Sequence, residues 1–181
     1  QTCALPILAA QSTNGSIYIN DTGNGVNIGQ YSLIDSTAIG GVSGTITGVS
    51  ATTAGQDVSV RGRGAMVVAA NVTSGNNVTL VSSTGTPSVA NTITLNGGSV
   101  TAASGTGNVA LYANGNIAIS GANSINAGMT SGEASLVSSG GAITDAGGGT
   151  VYARTIALVA STGIGTALKP LLTDPATVTM G

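Results

Sequence analysis

The sequence predicts an all-β protein, a right-handed parallel β-helix with three short strands in each coil of about 22–25 residues. Three observations carry that expectation. Apolar residues alternate with period two in short packets dominated by β-branched side chains. The packets recur in units of three, each unit closed by Gly, Asn or Ser. Helix-forming charged residues are almost absent: 6% of the 181 residues are charged, against about 25% in ordinary soluble domains. Such a low charge also describes flexible Gly/Ser linkers, but a mean hydropathy of +0.39 is too high for a chain that stays unfolded.

Eight packets read as strands in chain order: SIYIN (16–20), DVSVR (57–61), NVTLV (77–81), TITLN (92–96), NVALY (108–112), NIAIS (116–120), ASLVS (134–138) and TIALV (155–159). Stretches such as TSGNN, NGG, ASGTG and AGGG separate them and suit turns that need positive φ. Aligning GNNVTLVSSTG (75–85), TGNVALYANG (106–115), GEASLVSSGG (132–141) and RTIALVASTG (154–163) puts Val78, Val109, Ala134 and Ile156 in one column. Their separations are 31, 25 and 22 residues. A second packet follows at Ile117/Ile119 and then Ile143, and a third at Ile125 and then Val151. TPSVAN (86–91) reads as a loop leaving a longer coil.

Stacking such coils at the ordinary inter-strand spacing of about 4.8 Å places Val over Val inside and Asn over Asn or Ser at the turns. A narrow interior favours aliphatic side chains and explains why the chain holds four Tyr, no Phe and no Trp. A β-sandwich shares the alternation. It leaves the three-packet unit unexplained.

The first seven residues, QTCALPI, stand apart. They hold the only cysteine, Cys3, and back-translate as CAG ACG TGT GCT CTT CCG ATC, which resembles the end of a short-read sequencing adapter. On that expectation residues 1–7 are an artefact, and residues 8–181 are a single β-helix repeat domain truncated at both ends. Without Cys3 the chain has no disulfide or thiolate metal ligand.

Residue chemistry narrows the function classes. The longest Pro-free apolar run, AMVVAA (65–70), is far below the roughly 20 residues of a membrane helix. A net charge of −2 gives no nucleic-acid footprint. The only lysine, Lys169, precedes Pro170, so there is no Walker A loop, and no G-x-S-x-G elbow is present. No cofactor is expected. Asp21, in NDTGNG, lacks the tandem repeat of calcium-binding β-helices and reads as a turn. The six carboxylates, Asp21, Asp35, Asp57, Glu133, Asp145 and Asp174, are scattered singly, and there is no histidine to act as a base. No catalytic or metal-binding residue is assigned. Asp57, Arg61 and Arg63 in QDVSVRGRG form the one charge cluster and are candidate contacts for an anion or sugar acid. Arg61 and Arg63 share a face if the strand continues.

The segments GNVALYANGNIAISGANSINAG (107–128), EASLVSSGGAITDAGGGTVYARTIALVASTGIGTALKPL (133–171) and NGSIYINDTG (14–23) resemble the haemagglutinin-type β-helix repeats of filamentous haemagglutinin-like two-partner-secretion adhesins and autotransporter passengers. STGIGTALKPL (161–171) is similar to a recurring G-x-I-G-T…P-L element of those repeats. The likeness covers most of residues 12–171 and rests on low-complexity motifs. It implies a secreted, cell-surface bacterial exoprotein exported through an outer-membrane barrel, encoded in cis or in trans. Host or neighbouring cells would be its partners, through other parts of the protein. The leading expectation is a structural, non-enzymatic stalk segment. Alternatives are a β-helical polysaccharide lyase or hydrolase with a site near Arg61, and a self-assembling fibre unit.

Overall fold

A computed structural model describes residues 6–33, 44–83, 91–120 and 124–175. The chain winds as a parallel β-helix, visiting three sheets in turn. Sheet I contains Ile7–Leu8, Gly25–Ile28, Ala65–Val68, Ile93–Asn96, Ile117–Ser120, Ala142–Asp145 and Gly163–Ile164. Sheet II contains Ala10–Ser12, Val49–Ala51, Val72–Ser74, Val100–Ala102, Ser124–Asn126, Thr150–Ala153 and Leu172–Pro175. Sheet III contains Ile17–Asn20, Val58–Gly62, Val78–Ser82, Val109–Ala113, Glu133–Ser138 and Thr155–Ala160. In each sheet the strands stack in sequence order, and every pair between successive coils is parallel.

The columns inferred from the sequence are the observed registers. Val78, Val109, Ala134 and Ile156 align across sheet III. Ile117 pairs with Ile143 in sheet I, and Ile125 with Val151 in sheet II. A second sheet III column stacks Val60, Leu80, Leu111, Leu136 and Leu158. Because side chains alternate in and out, in-register stacking drives every inward residue of one coil onto an inward residue of the next. Leu80, Leu111, Leu136, Ile93, Ile117 and Ile119 are fully buried. Each contributes about 1.5–3 kcal/mol of hydrophobic stabilisation relative to exposure. Small residues fill the corners where two sheets converge: Ala51, Ser74, Ala102, Ala113, Ser138 and Ala153 are all buried.

Several strands escape the periodicity argument. Val49–Ala51, Val72–Ser74 and Val100–Ala102 are three residues long, with one large apolar side chain each, too short to display a period. Between the second strand of sheet I and the second of sheet II, the chain leaves the helix as an antiparallel hairpin, Gln30–Leu33 with Gly44–Thr47. That excursion makes the coil from Ser16 to Asp57 41 residues long, against 20 from Asp57 to Asn77. The expected loop at 86–91 lies outside the described residues except for Asn91, which is buried. Gln1–Leu5 are also outside them, while Ile7 pairs with Asn27 at the first rung of sheet I.

Close coil approach dictates glycine at the corners. Gly48 adopts φ +73°, and a Cβ there would overlap the carbonyl oxygen of Asn71 in the next coil. At Gly75 a Cβ would overlap the carbonyl oxygen of Thr53 in the preceding coil.

Burial along the columns sets a gradient that mutation can read. Leu111→Ala, in a filled central coil, is expected to cost about 3 kcal/mol. Leu158→Ala, only partly buried against the core, should cost less than half of that. Chemical denaturation of both variants checks the order, and equal losses would contradict the layered core.

Candidate functional site

The outward rows of sheet III collect the charge cluster singled out in the sequence. One row runs Ser16, Asp57, Asn77, Asn108 and Glu133, each one residue before an inward column position. A middle row runs Tyr18, Ser59, Thr79 and Ala110. The third runs Asn20, Arg61, Val81 and Tyr112. Small side chains in the middle row form the floor of an open groove of about 370 Å³. Tyr18, Asp57, Arg61, Asn77 and Asn108 stand around it.

The first row is held by side-chain oxygens that reach up one coil. Asp57 N–H donates to Ser16 Oγ at 2.9 Å, Asn108 N–H to Asn77 Oδ1 at 3.0 Å, and Glu133 N–H to Asn108 Oδ1 at 2.8 Å. Asp57 Oδ1 is the most heavily used acceptor of this row. It takes Asn76 Nδ2 at 2.9 Å, with Asn77 N–H and Asn77 Nδ2 at 3.0 Å each. These bonds satisfy turn N–H groups that have no strand partner, so the row closes one corner of the helix. A shorter counterpart at sheet II has Ser99 N–H on Asn71 Oδ1 at 2.9 Å and Ser124 N–H on Ser99 Oγ at 3.1 Å.

This geometry divides the three sequence candidates. Asp57 and Arg61 both border the groove but lie on opposite walls, four residues or about 13 Å apart along one strand. They do not form an ion pair. Asp57 is a corner residue whose Oδ1 carries the ladder. The Arg61 guanidinium is exposed and, among the described residues, engages no carboxylate. Arg63 lies beyond the strand that carries Arg61. The strand ends at Gly62, Gly64 turns at φ +80°, and Arg63, exposed in that turn, is not among the residues that line the groove. The expectation of a shared face required the strand to continue, and the Gly-x-Gly spacing stops it.

The remaining carboxylates are also dispersed. Asp21 Oδ1 accepts Gly23 N–H at 3.2 Å, an Asx-type turn. Glu133 lies three coils above Asp57 in the same row, about 14 Å away. Asp174 is exposed in the last strand of sheet II, and Asp35 is outside the described residues. Among the described residues no three His, Cys, Asp or Glu side chains come together to hold a metal ion.

Asp145 is the feature that the sequence reading missed. It occupies an inward position in the column Leu95–Ile119–Asp145 and is only 5% exposed. Its Oδ1 accepts N–H groups from Gly147, Gly148 and Gly149 at 2.9, 3.0 and 3.2 Å. Three successive N–H groups around one oxygen form an anion-binding nest, here closed by the chain's own carboxylate. The signal was present as D-A-G-G-G: glycines let the backbone curl back onto the preceding aspartate.

The division of roles makes a stability test. Asp57→Ala strands three donors and is expected to cost about 2 kcal/mol. Arg61→Ala should change stability by less than about 0.5 kcal/mol. Thermal and urea unfolding of the two variants compare them, and a large loss at Arg61 would overturn the assignment. Comparison of the chain with protein-family models, with curated proteins and with solved structures finds no match.

Proposed function

We propose that this chain is a stalk segment of a secreted, surface-displayed bacterial exoprotein of the adhesin type, with mechanical reach as its work. The observation that supports the reading is the nearest-neighbour construction of the rod. Each strand of the three sheets pairs only with the coil below and the coil above, and columns such as Val60–Leu80–Leu111–Leu136–Leu158 repeat from coil to coil. A solenoid of this kind gains length by adding coils, with no change in the rest of the structure. Excursions such as the hairpin at Gln30–Leu33 and Gly44–Thr47 leave the stack undisturbed, so side modules can be carried along it.

The low charge suits the same role. Sheets I and II turn small polar residues outward, including Thr94 and Thr144 on one and Ser50, Thr73, Thr101 and Asn126 on the other. Such faces stay hydrated without the self-repulsion that a highly charged rod would accumulate. Export through an outer-membrane barrel, in cis or in trans, would deliver the chain unfolded, and parallel coil stacking would then proceed outside the cell. The partners of such a stalk are the surfaces reached by other parts of the protein.

Two experiments test the reading. An antibody raised against this chain should label intact producing cells, and external protease should remove the signal; antigen confined to the cytosol would overturn the proposal. Inserting a second copy of residues 109–133 after Glu133 should lengthen the rod by about 4.8 Å, measurable by small-angle scattering, and leave Tm unchanged or higher. A collapsed or aggregated product would show that the coils are not interchangeable units.

A further inference from the structure

We propose that the groove on the outer face of sheet III, running from Tyr18 to Ala110, is a binding site for a linear glycan bearing carboxylates, laid along the helix axis. Tyr18 sits on the first rung of this groove and Ala110 on the fourth, about 14 Å apart along the axis. Tyr18 is 71% exposed, so its ring offers a face to solvent. Beyond Tyr18 the floor is built from Ser59, Thr79 and Ala110, too small to block a chain lying across the rungs. An aromatic ring at one end of an open trough suits the apolar C–H face of a sugar ring. On one wall the Asn77 amide and Asn108 Oδ1 are held in the corner ladder, which leaves the Asn108 amide nitrogen to meet a ring hydroxyl.

Arg61 supplies the charge preference. Its guanidinium stands on the second rung of the opposite wall, exposed and without a carboxylate partner among the described residues. A planar fork of N–H donors matches a carboxylate in bidentate fashion. Asp57 does not cancel it, because its Oδ1 is committed to three donors at the other wall. The strands of the second to fourth rungs are hydrogen-bonded along both edges, so an extended peptide finds no free backbone edge there. A single arginine on a chain of net charge −2 is too little for a nucleic-acid backbone. The ladder spacing favours a polymer whose repeat is comparable to one rung, which a chain of pyranose rings satisfies.

Isothermal titration calorimetry of the full chain with galacturonate oligosaccharides, free and methyl-esterified, tests the assignment. The free acid should bind about tenfold more tightly than the ester, the worth of one charge-assisted pair. Arg61→Gln should abolish that preference, Tyr18→Ser should weaken both ligands, and Arg63→Gln should change neither. Circular dichroism and Tm would verify that each variant is folded; all three side chains point outward, so each should be. No binding of either oligosaccharide would overturn the proposal. So would equal losses at Arg61 and Arg63, which would mark a diffuse charge effect rather than a groove.

Discussion

Everything in this molecule depends on parallel, in-register stacking of one coil upon the next. Once Val78 lies over Val58 and Val109 over Val78, the alternation of the strand decides which side chains are inside and which outside for the whole height of the rod. A slip of one residue would turn Leu80 and Leu111 outward and bring Thr79 and Ala110 into the core. The interior columns therefore enforce the register, and the register in turn builds the outer rows. The groove of sheet III is a by-product of the same constraint, since Tyr18, Ser59, Thr79 and Ala110 share a line only because Ile17, Val58, Val78 and Val109 do.

The corners add a polar condition to the hydrophobic one. A three-sided helix must turn its backbone three times per coil, and each turn leaves N–H groups that no strand partner can reach. Here they are met by oxygens from the coil below: Asn77 Oδ1 for Asn108, Asn108 Oδ1 for Glu133, and Asp57 Oδ1 for Asn77. Inside the corners, hydroxyls do the converse. Buried Ser138 donates to the carbonyl of Gly115 at 2.7 Å, and Ser82 donates to the carbonyl of Gly64. The abundance of Asn, Ser and Gly is thus a consequence of turning tightly, and low complexity follows from repeating one solution.

This explains why the fold was legible and the site only in part. Columns could be read because Val78, Val109, Ala134 and Ile156 repeat the same chemical choice at each coil, and repetition is visible without coordinates. The short strands of sheet II were less visible because Val72–Ser74 offers one large apolar residue and a corner serine, a pattern shared with many loops. The apparent charge cluster misled because proximity in sequence means different things along a strand. Asp57 and Arg61 share a face but stand four residues apart, and Arg63 falls beyond the glycine where the strand stops. Tyr18 could not be joined to Arg61 from sequence at all, since a 41-residue coil containing the hairpin separates their rungs.

Asp145 shows how far the stacking rule can be bent. Its column calls for an aliphatic residue after Leu95 and Ile119, and a buried carboxylate left unpaired would be strongly destabilising. The following glycines change the balance. Gly148 takes φ +89°, and the N–H groups of Gly147, Gly148 and Gly149 turn inward to meet the carboxylate. Beside it, Lys169 Nζ donates to the carbonyl of Ala146 at 3.0 Å, tying the loop of the next coil to the same turn. The inward position is therefore filled by a charge that arrives with its own donors, and the exchange works only at a corner, where a turn follows the strand at once. The same substitution at Leu111, in the middle of its strand and bonded along both edges, would find every neighbouring N–H already spent on the sheet. Among the described residues, buried polar side chains thus sit at strand ends and in turns, where backbone donors and carbonyls are free to meet them, which is why the chain can be rich in polar residues and still keep an aliphatic core.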